Sequence, residues 1–153
     1  MATWDALATA EPQLADAGRR LLRRGDASEA LLATVRGDDP PRIHPVNVAV
    51  VAGRLLTFAI SSSAKAADLA ADGRFALHAH VDPKVPEEFV VRGRARRVDD
   101  PELMSAAIAA WPFDAAAGYD LFELDITHAL LGQRSSADDW PPRYRSWRSP
   151  SAG

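Results

Sequence analysis

The chain has no cysteine in its 153 residues. A thiol nucleophile, a CxxC redox pair, a zinc knuckle and an iron–sulfur site are therefore excluded, and the absence is compatible with a reducing cytosol. Lysine is nearly missing as well. Lys65 and Lys84 are the only two, and the remaining basic side chains are arginine and histidine. No apolar run approaches the ~20 residues that span a bilayer. The N-terminus, MATWDALATAEP, lacks a basic n-region and carries Asp5 early, which argues against a secretory leader. A soluble, unprocessed, cytoplasmic protein without a membrane partner is expected. No GxSxG elbow, internal repeat or domain linker is visible. With a net charge of -3 there is no basic excess to make nucleic acid a default partner. What remains is an apolar fraction of 47%, which fits one compact domain, 1–153. A chain of this size buries roughly 70% of its unfolded surface without staples.

Apolar spacing predicts an amphipathic helix over Glu11–Arg24, stopped by Gly25 and Asp26. Extended runs follow at Glu29–Arg36, at RIHPVNVAVV and, after a turn at Ala52 and Gly53, at RLLTFAI. SSSAKAADLAAD then reads as a short helix closed by Gly73. RFALHAHV and EEFVVRGRARRV are the next strands; on the second, Phe89, Val91, Gly93 and Ala95 oppose Arg92, Arg94 and Arg96. Asp100 and Pro101 open a helix through Trp111 as N-cap and first residue. In YDLFELDITHALL, Phe122, Leu124 and Ile126 are expected inside, with Glu123, Asp125 and Thr127 outside. The sum is a mainly β fold, a six-stranded antiparallel barrel with peripheral helices, because parallel strands would need a crossover after nearly every strand. The barrel core spans 29–132. An aromatic C-terminal tail, 133–153, holds Trp140, Tyr144 and Trp147, which are expected to pack on the barrel or a partner.

Ser61, Ser62, Ser63 and Lys65 stand at a strand-to-helix junction. Unpaired N–H groups at a helix N-terminus, hydroxyls and a lysine suit an anion such as phosphate. The alternative is a serine cap with Lys65 paired to Asp68, its i+3 neighbour. Arg42 and His44 share a face of the preceding hairpin and can reach the same anion; the alternative for Arg42 is an edge arginine in solvent. His78 and His80 are candidates for a metal pair with His44 or His128, or simply two packed or exposed imidazoles. No metal site is assigned. The Arg92, Arg94 and Arg96 stripe reads as a solvated or dimer-facing surface, and Glu123 and Asp125 as a wet face.

The order TVRG, PRIHPV, TFAISSSAKAADL, RFALHAHV and EEFVVRGRARRVDDPE resembles the pyridoxamine 5'-phosphate oxidase-like split barrels that bind FMN. The resemblance covers about Glu29 to Glu102. It implies a split barrel, a homodimer and a flavin groove at the subunit interface. Carried over by position, Arg42, Ser63 and Lys65 match the family's phosphate residues, while Phe58, Ala59, Ile60 and Ser61 flank the cofactor. Asn47, Ala64 and Glu88 stand where the oxidase has lysine, arginine and glutamine. Those departures imply weaker FMN binding or another phosphate-bearing cofactor such as the deazaflavin F420, and they speak against vitamin B6 oxidation. The expected function is thus an FMN- or F420-dependent oxidoreductase acting on a small molecule, with no catalytic side chain assigned. The alternative is a non-catalytic FMN-binding or ligand-binding dimeric module of the same fold.

Overall fold

The computed structural model describes residues 2–150; residue 1 and residues 151–153, the end of the expected tail, lie outside the described residues. In chain order the elements are α1 (Trp4–Ala10), α2 (Pro12–Leu22), β1 (Arg23–Arg24), β2 (Ala27–Thr34), β3 (Arg42–Val51), β4 (Arg54–Ile60), α3 (Ala64–Ala71), β5 (Arg74–Ala79), β6 (Glu88–Arg97), α4 (Pro101–Ala110), β7 (Tyr119–Gln133) and β8 (Arg143–Arg148). Neighbours run β2-β3-β4-β7-β6-β5, and β5 pairs back onto β2, which closes a six-stranded barrel. Every pairing is antiparallel. β1 and β8 are additions at its rim. Among the described residues no helix is long and apolar enough to cross a membrane.

The expected helix over Glu11–Arg24 is shorter and has company. Thr3 caps α1, its hydroxyl accepting from the Ala6 N–H at 3.1 Å, and Pro12 starts α2 at a position where its missing N–H costs nothing. Arg23 and Arg24 leave the helix to pair with Ser28 and Ala27 around Gly25. The two helices bury Trp4, Leu7, Leu14 and Leu22 against the barrel interior, where Trp4 meets Phe89 edge-on at 6.0 Å. A second cluster lies outside the barrel. There α4 packs on the outer face of β3, and the cluster extends over β4 and β7, with Phe58 edge-on to Trp111 at 4.8 Å and Leu56, Leu103 and Leu121 around them.

Two backbone irregularities shape the barrel wall. β3 turns into β4 through Ala52 and Gly53, both at positive φ, the twist that a two-residue hairpin needs. On β6 and β7 the register slips between Arg92 and Gly93, leaving Thr127 as the extra residue. A Cβ on Gly93 would stand 1.9 Å from the Asp125 carbonyl oxygen, so the bulge admits only glycine there.

Glu123 and Asp125 correct the sequence expectation of a wet face. Both are buried. Arg54 Nε lies 2.7 Å from Glu123 Oε1, while Arg96 grips Glu123 at 2.9 Å and Asp125 at 3.1 Å. Strand alternation alone could not show this, because the cover comes from arginines on neighbouring strands. Burial nonetheless pushes the Glu123 carboxyl up from its usual range, against the pull of Arg96 and Arg54. Arg96 is thus no solvated stripe residue, and Arg94 donates to the Asp72 carbonyl.

The tail is also more ordered than a loop. β8 pairs with β7 from His128↔Arg148 to Gln133↔Arg143, and Trp147 packs against the main core. Trp140 and Tyr144 do not pack on the barrel: in the single chain they remain 72% and 57% exposed. Tyr144 sits on the outward side of an edge strand, and Trp140 has the Arg134 guanidinium 5.2 Å from its ring centroid. Truncation after Gln133 is expected to cost roughly 2 kcal/mol and lower Tm by about 5 °C, mostly through Trp147. An unchanged melting curve would mean that β8 adds nothing to the barrel.

Candidate functional site

The register between β3 and β4 stops at Ala49↔Leu56, although both strands continue. Beyond that pair they splay. Thr57, fully buried, props the opening by donating its hydroxyl to the Asn47 carbonyl at 2.8 Å. A cleft of about 360 Å³ occupies the splay. Its walls are Pro45, Val46 and Asn47 from β3, Phe58 and Ile60 from β4, Phe113 and Tyr119 from the far side, and Lys65, Glu29 and His80 at its margins. Phe58 and Phe113 each contact Tyr119, at 6.4 and 5.3 Å between centroids. The lining is therefore mixed: an aromatic and aliphatic wall of Phe58, Phe113, Tyr119, Ile60, Pro45 and Val46 faces the polar side chains of Glu29, Asn47, Lys65 and His80, a surface that can seat a flat ring and hold a polar group beside it.

α3 begins at the mouth of this cleft. Ser63 is its N-cap: the hydroxyl accepts from the Ala66 N–H at 3.1 Å and donates to the Ile60 carbonyl at 2.7 Å. Ser61 is held otherwise, its N–H on the Gly118 carbonyl and its hydroxyl on Asp120 at 3.1 Å. Ser62 is exposed, and its hydroxyl makes no hydrogen bond among the described residues. Lys65 is half-buried in the first turn, and among the described residues it makes neither a hydrogen bond nor an ion pair. Burial lowers its pKa from the ordinary lysine value. An ammonium on the positive end of a helix dipole, partly out of water and without a counter-charge, is destabilising by itself.

The Lys65–Asp68 pair is not formed. Asp68 is 1% exposed and belongs to a different network. It accepts from the Thr34 hydroxyl at 2.9 Å and from Arg42 Nε at 3.1 Å, and Arg36 Nε stands 3.2 Å from its other oxygen. Thr34 spends its one hydroxyl proton on that carboxylate. His44 Nε2, 3.2 Å from the same hydroxyl, must then carry the hydrogen. Arg42 is thus fixed through Nε while its side chain stays half-exposed, and the terminal nitrogens of its guanidinium make no hydrogen bond among the described residues.

His44 is held neutral. Burial, Lys65 and Arg42 all lower its pKa, and only Asp68 raises it. The folded chain therefore binds fewer protons at His44 than the unfolded chain, and stability is lost as pH falls below the ordinary histidine value of about 6.5. The denaturant midpoint of the ligand-free protein is expected to rise from pH 5 to pH 7, with a smaller rise in His44→Gln. Identical slopes in the two proteins would contradict the assignment.

The structure thus gathers Phe58, Ile60 and Lys65 on the cleft, with Ser62 and Ser63 in the turn that leads into α3 and Arg42 and His44 bound into the network beneath it. Ala59 is different. Its methyl points into the barrel core, so only its backbone, on the stretch of β4 without a β3 partner, faces the splay. Sequence reasoning missed Phe113, Tyr119 and Asp68. The first two come together only through the α4–β7 connection, and Asp68 finds its partners 26 and 34 residues away. The histidines are dispersed: His78 bonds its own strand's Ala79 carbonyl, His80 edges the cleft, and His128 lies on β7. Among the described residues no three His, Asp or Glu side chains are placed to hold a metal.

A family profile described as pyridoxamine 5'-phosphate oxidase matches residues 18–131, which takes in the barrel from the second half of α2 to near the end of β7. The chain belongs to the pyridoxamine 5'-phosphate oxidase family. No curated protein sequence matches it. Among solved structures it is similar to a heme binding protein from Mycobacterium smegmatis, with a TM-score of 0.65 at 16% identity over 86% of this chain. The chain spans 57% of that protein's length. General Stress Protein 26 from Bacillus anthracis matches with a TM-score of 0.61 at 14% identity, covering 88% of this chain and 97% of that one. HutZ, the heme storage protein from Vibrio cholerae, matches with 0.57 at 11% identity over 76% and 89%. At such identities the likeness is one of fold. The residues matched by the family profile take in the β3–β4 splay and the α3 N-terminus.

Proposed function

We propose that the cleft binds a phosphorylated flavin-type cofactor, FMN or the deazaflavin F420, and that the protein is an oxidoreductase acting on a small molecule. The observation that carries this reading is Lys65, a half-buried ammonium without a counter-charge at the first turn of α3. A phosphate there offsets the charge, meets the free N–H groups of the turn and leaves the aromatic cleft for a flat ring system. Lys65, the Ser62 hydroxyl and the terminal nitrogens of Arg42 hold the phosphate. Phe58, Ile60, Phe113 and Tyr119 flank the ring and exclude water. When bound, such a cofactor supplies the hydride chemistry, so the chain's own task is to bind and orient. His44, neutral and donating to Thr34, keeps Asp68 and Arg42 in place beneath the phosphate.

A homodimer belongs to the same proposal. Leu31, Ile43 and Pro45 are exposed on the outer face of β2 and β3, Ile43 to 71%, and Leu31 and Pro45 are direct partners in register. The cleft opens beside them. A second copy seated on this face covers the apolar patch and closes the cleft. Light scattering behind size exclusion is expected to give a dimer mass, and a monomer at micromolar concentration would overturn that part.

Heme-binding relatives supply the alternative of a non-catalytic ligand-binding module. One preparation separates the two. Protein that takes up FMN or F420, bleaches on chemical reduction and regains colour with an added electron acceptor supports the oxidoreductase. Protein that takes up hemin alone, or none of the three, contradicts it.

A further inference from the structure

The bulge that puts Gly93 against the Asp125 carbonyl also builds a second feature, whose groove shares no lining residue with the Lys65 cleft. It leaves Thr127 out of register, so that its hydroxyl donates to the Arg92 carbonyl at 3.0 Å. That hydroxyl has no second proton. His128 Nδ1, 2.9 Å away, must be the donor to it, and His128 Nε2 is then a bare acceptor. Arg148 confirms the tautomer from the other side, since its Nε donates to Nε2 at 2.9 Å. Arg148, His128 and Arg92 are consecutive partners across β8, β7 and β6. Two guanidiniums therefore flank one neutral imidazole, about 10 Å apart at the backbone by the spacing of strands.

Among the described residues no acid answers them. Neither arginine belongs to any ion pair among the described residues, whereas Arg54, Arg74, Arg96 and Arg97 each grip a carboxylate. Burial, and after it the two cations, lowers the pKa of His128. The three residues edge a groove of about 380 Å³. One step along the strands Val90 and Leu130, also partners in register and both half-buried, form an apolar bed beside the charges.

We propose that this groove binds a small organic anion, with its carboxylate or phosphate between Arg92 and Arg148 and its apolar body on Val90 and Leu130. Guanidinium pairs suit planar or tetrahedral oxyanions. The Thr127–His128 relay makes Arg148 a fixed arm instead of a free one, which lowers the ordering cost of binding. The site is separate from Lys65 and stands or falls independently of the cofactor reading.

The test is a titration of the full chain with 2-naphthoate, 2-naphthyl phosphate and the neutral 2-naphthalenemethanol, read by the imidazole nitrogen resonances of His128. At least one anion is expected to move those resonances and to bind about tenfold or more tighter than the alcohol, the size of one charge-assisted contact. Which anion does so identifies the head group. Arg92→Gln and Arg148→Gln should each erase the preference, Arg148→Lys should restore part of it, and Lys65→Ala should leave it intact. An alcohol that binds as well as the anions overturns the proposal. So do anions that leave His128 unmoved, or a preference that survives both glutamine variants. Circular dichroism melts identify any variant that fails to fold; in that case the wild-type comparison of anion with alcohol decides alone.

Discussion

Lys65→Ala is expected to weaken FMN or F420 about ten- to a hundredfold while leaving riboflavin, which lacks the phosphate, unchanged. The size reflects the bond type: hydrogen bonds to charged groups contribute roughly 1.5–3 kcal/mol, and each 1.4 kcal/mol is about a factor of ten in affinity. The fold should not suffer. Lys65 has no partner to lose among the described residues, its burial already disfavours the charge, and an ammonium at a helix N-terminus opposes the dipole by about 0.3–1 kcal/mol. Tm is expected to stay level or rise slightly. A variant that keeps its FMN and F420 affinities but melts lower would make Lys65 a structural residue. Fluorescence titration and a thermal melt on the same samples measure both.

Asp68→Asn should do the reverse. Breaking a buried ion pair costs about 3–5 kcal/mol when it strands a charge. Here the arginines are half-exposed and can turn to water, so about 2–3 kcal/mol is expected from denaturant unfolding. Thr34, itself buried, keeps a hydrogen-bond acceptor in the asparagine oxygen. Phosphate affinity should hold or increase, because a negative charge beneath the site is gone and Arg42 is released toward it. Loss of cofactor binding at unchanged stability would mean that Asp68 contacts the ligand directly. The two substitutions lie three residues apart on one helix, and opposite signs from them would separate the binding cation from the structural anion.

What the sequence made legible is what local rules control. RIHPVNVAVV and RLLTFAI are apolar runs of strand length, Ala52–Gly53 turns between them, and both strands have the expected bounds. Ser63 and Asp100 cap their helices as N-cap chemistry requires. Closure of the barrel is not local: β2 meets β5 across more than forty residues, and antiparallel pairing was inferred only because the connections are short. β8 stayed hidden in a proline-rich stretch, since RYRSWR forms a strand by pairing with β7 and has little apolar alternation of its own. The buried acids were illegible for one shared reason. Asp68, Glu123 and Asp125 are polar letters whose burial depends on arginines brought in from elsewhere in the chain. In the site, hydroxyls and a lysine at a strand-to-helix junction marked the anion pole from sequence. The aromatic pole, with Phe113 and Tyr119, appeared only once α4 returned the chain to the barrel.

Equilibrium titration of the purified protein with FMN, F420 and riboflavin in parallel, followed by fluorescence, addresses the proposed cleft most directly. Recognition centred on Lys65 predicts that FMN or F420 binds about tenfold or more tighter than riboflavin. Riboflavin binding as tightly as the phosphorylated cofactors, or no binding of any of the three, would contradict it.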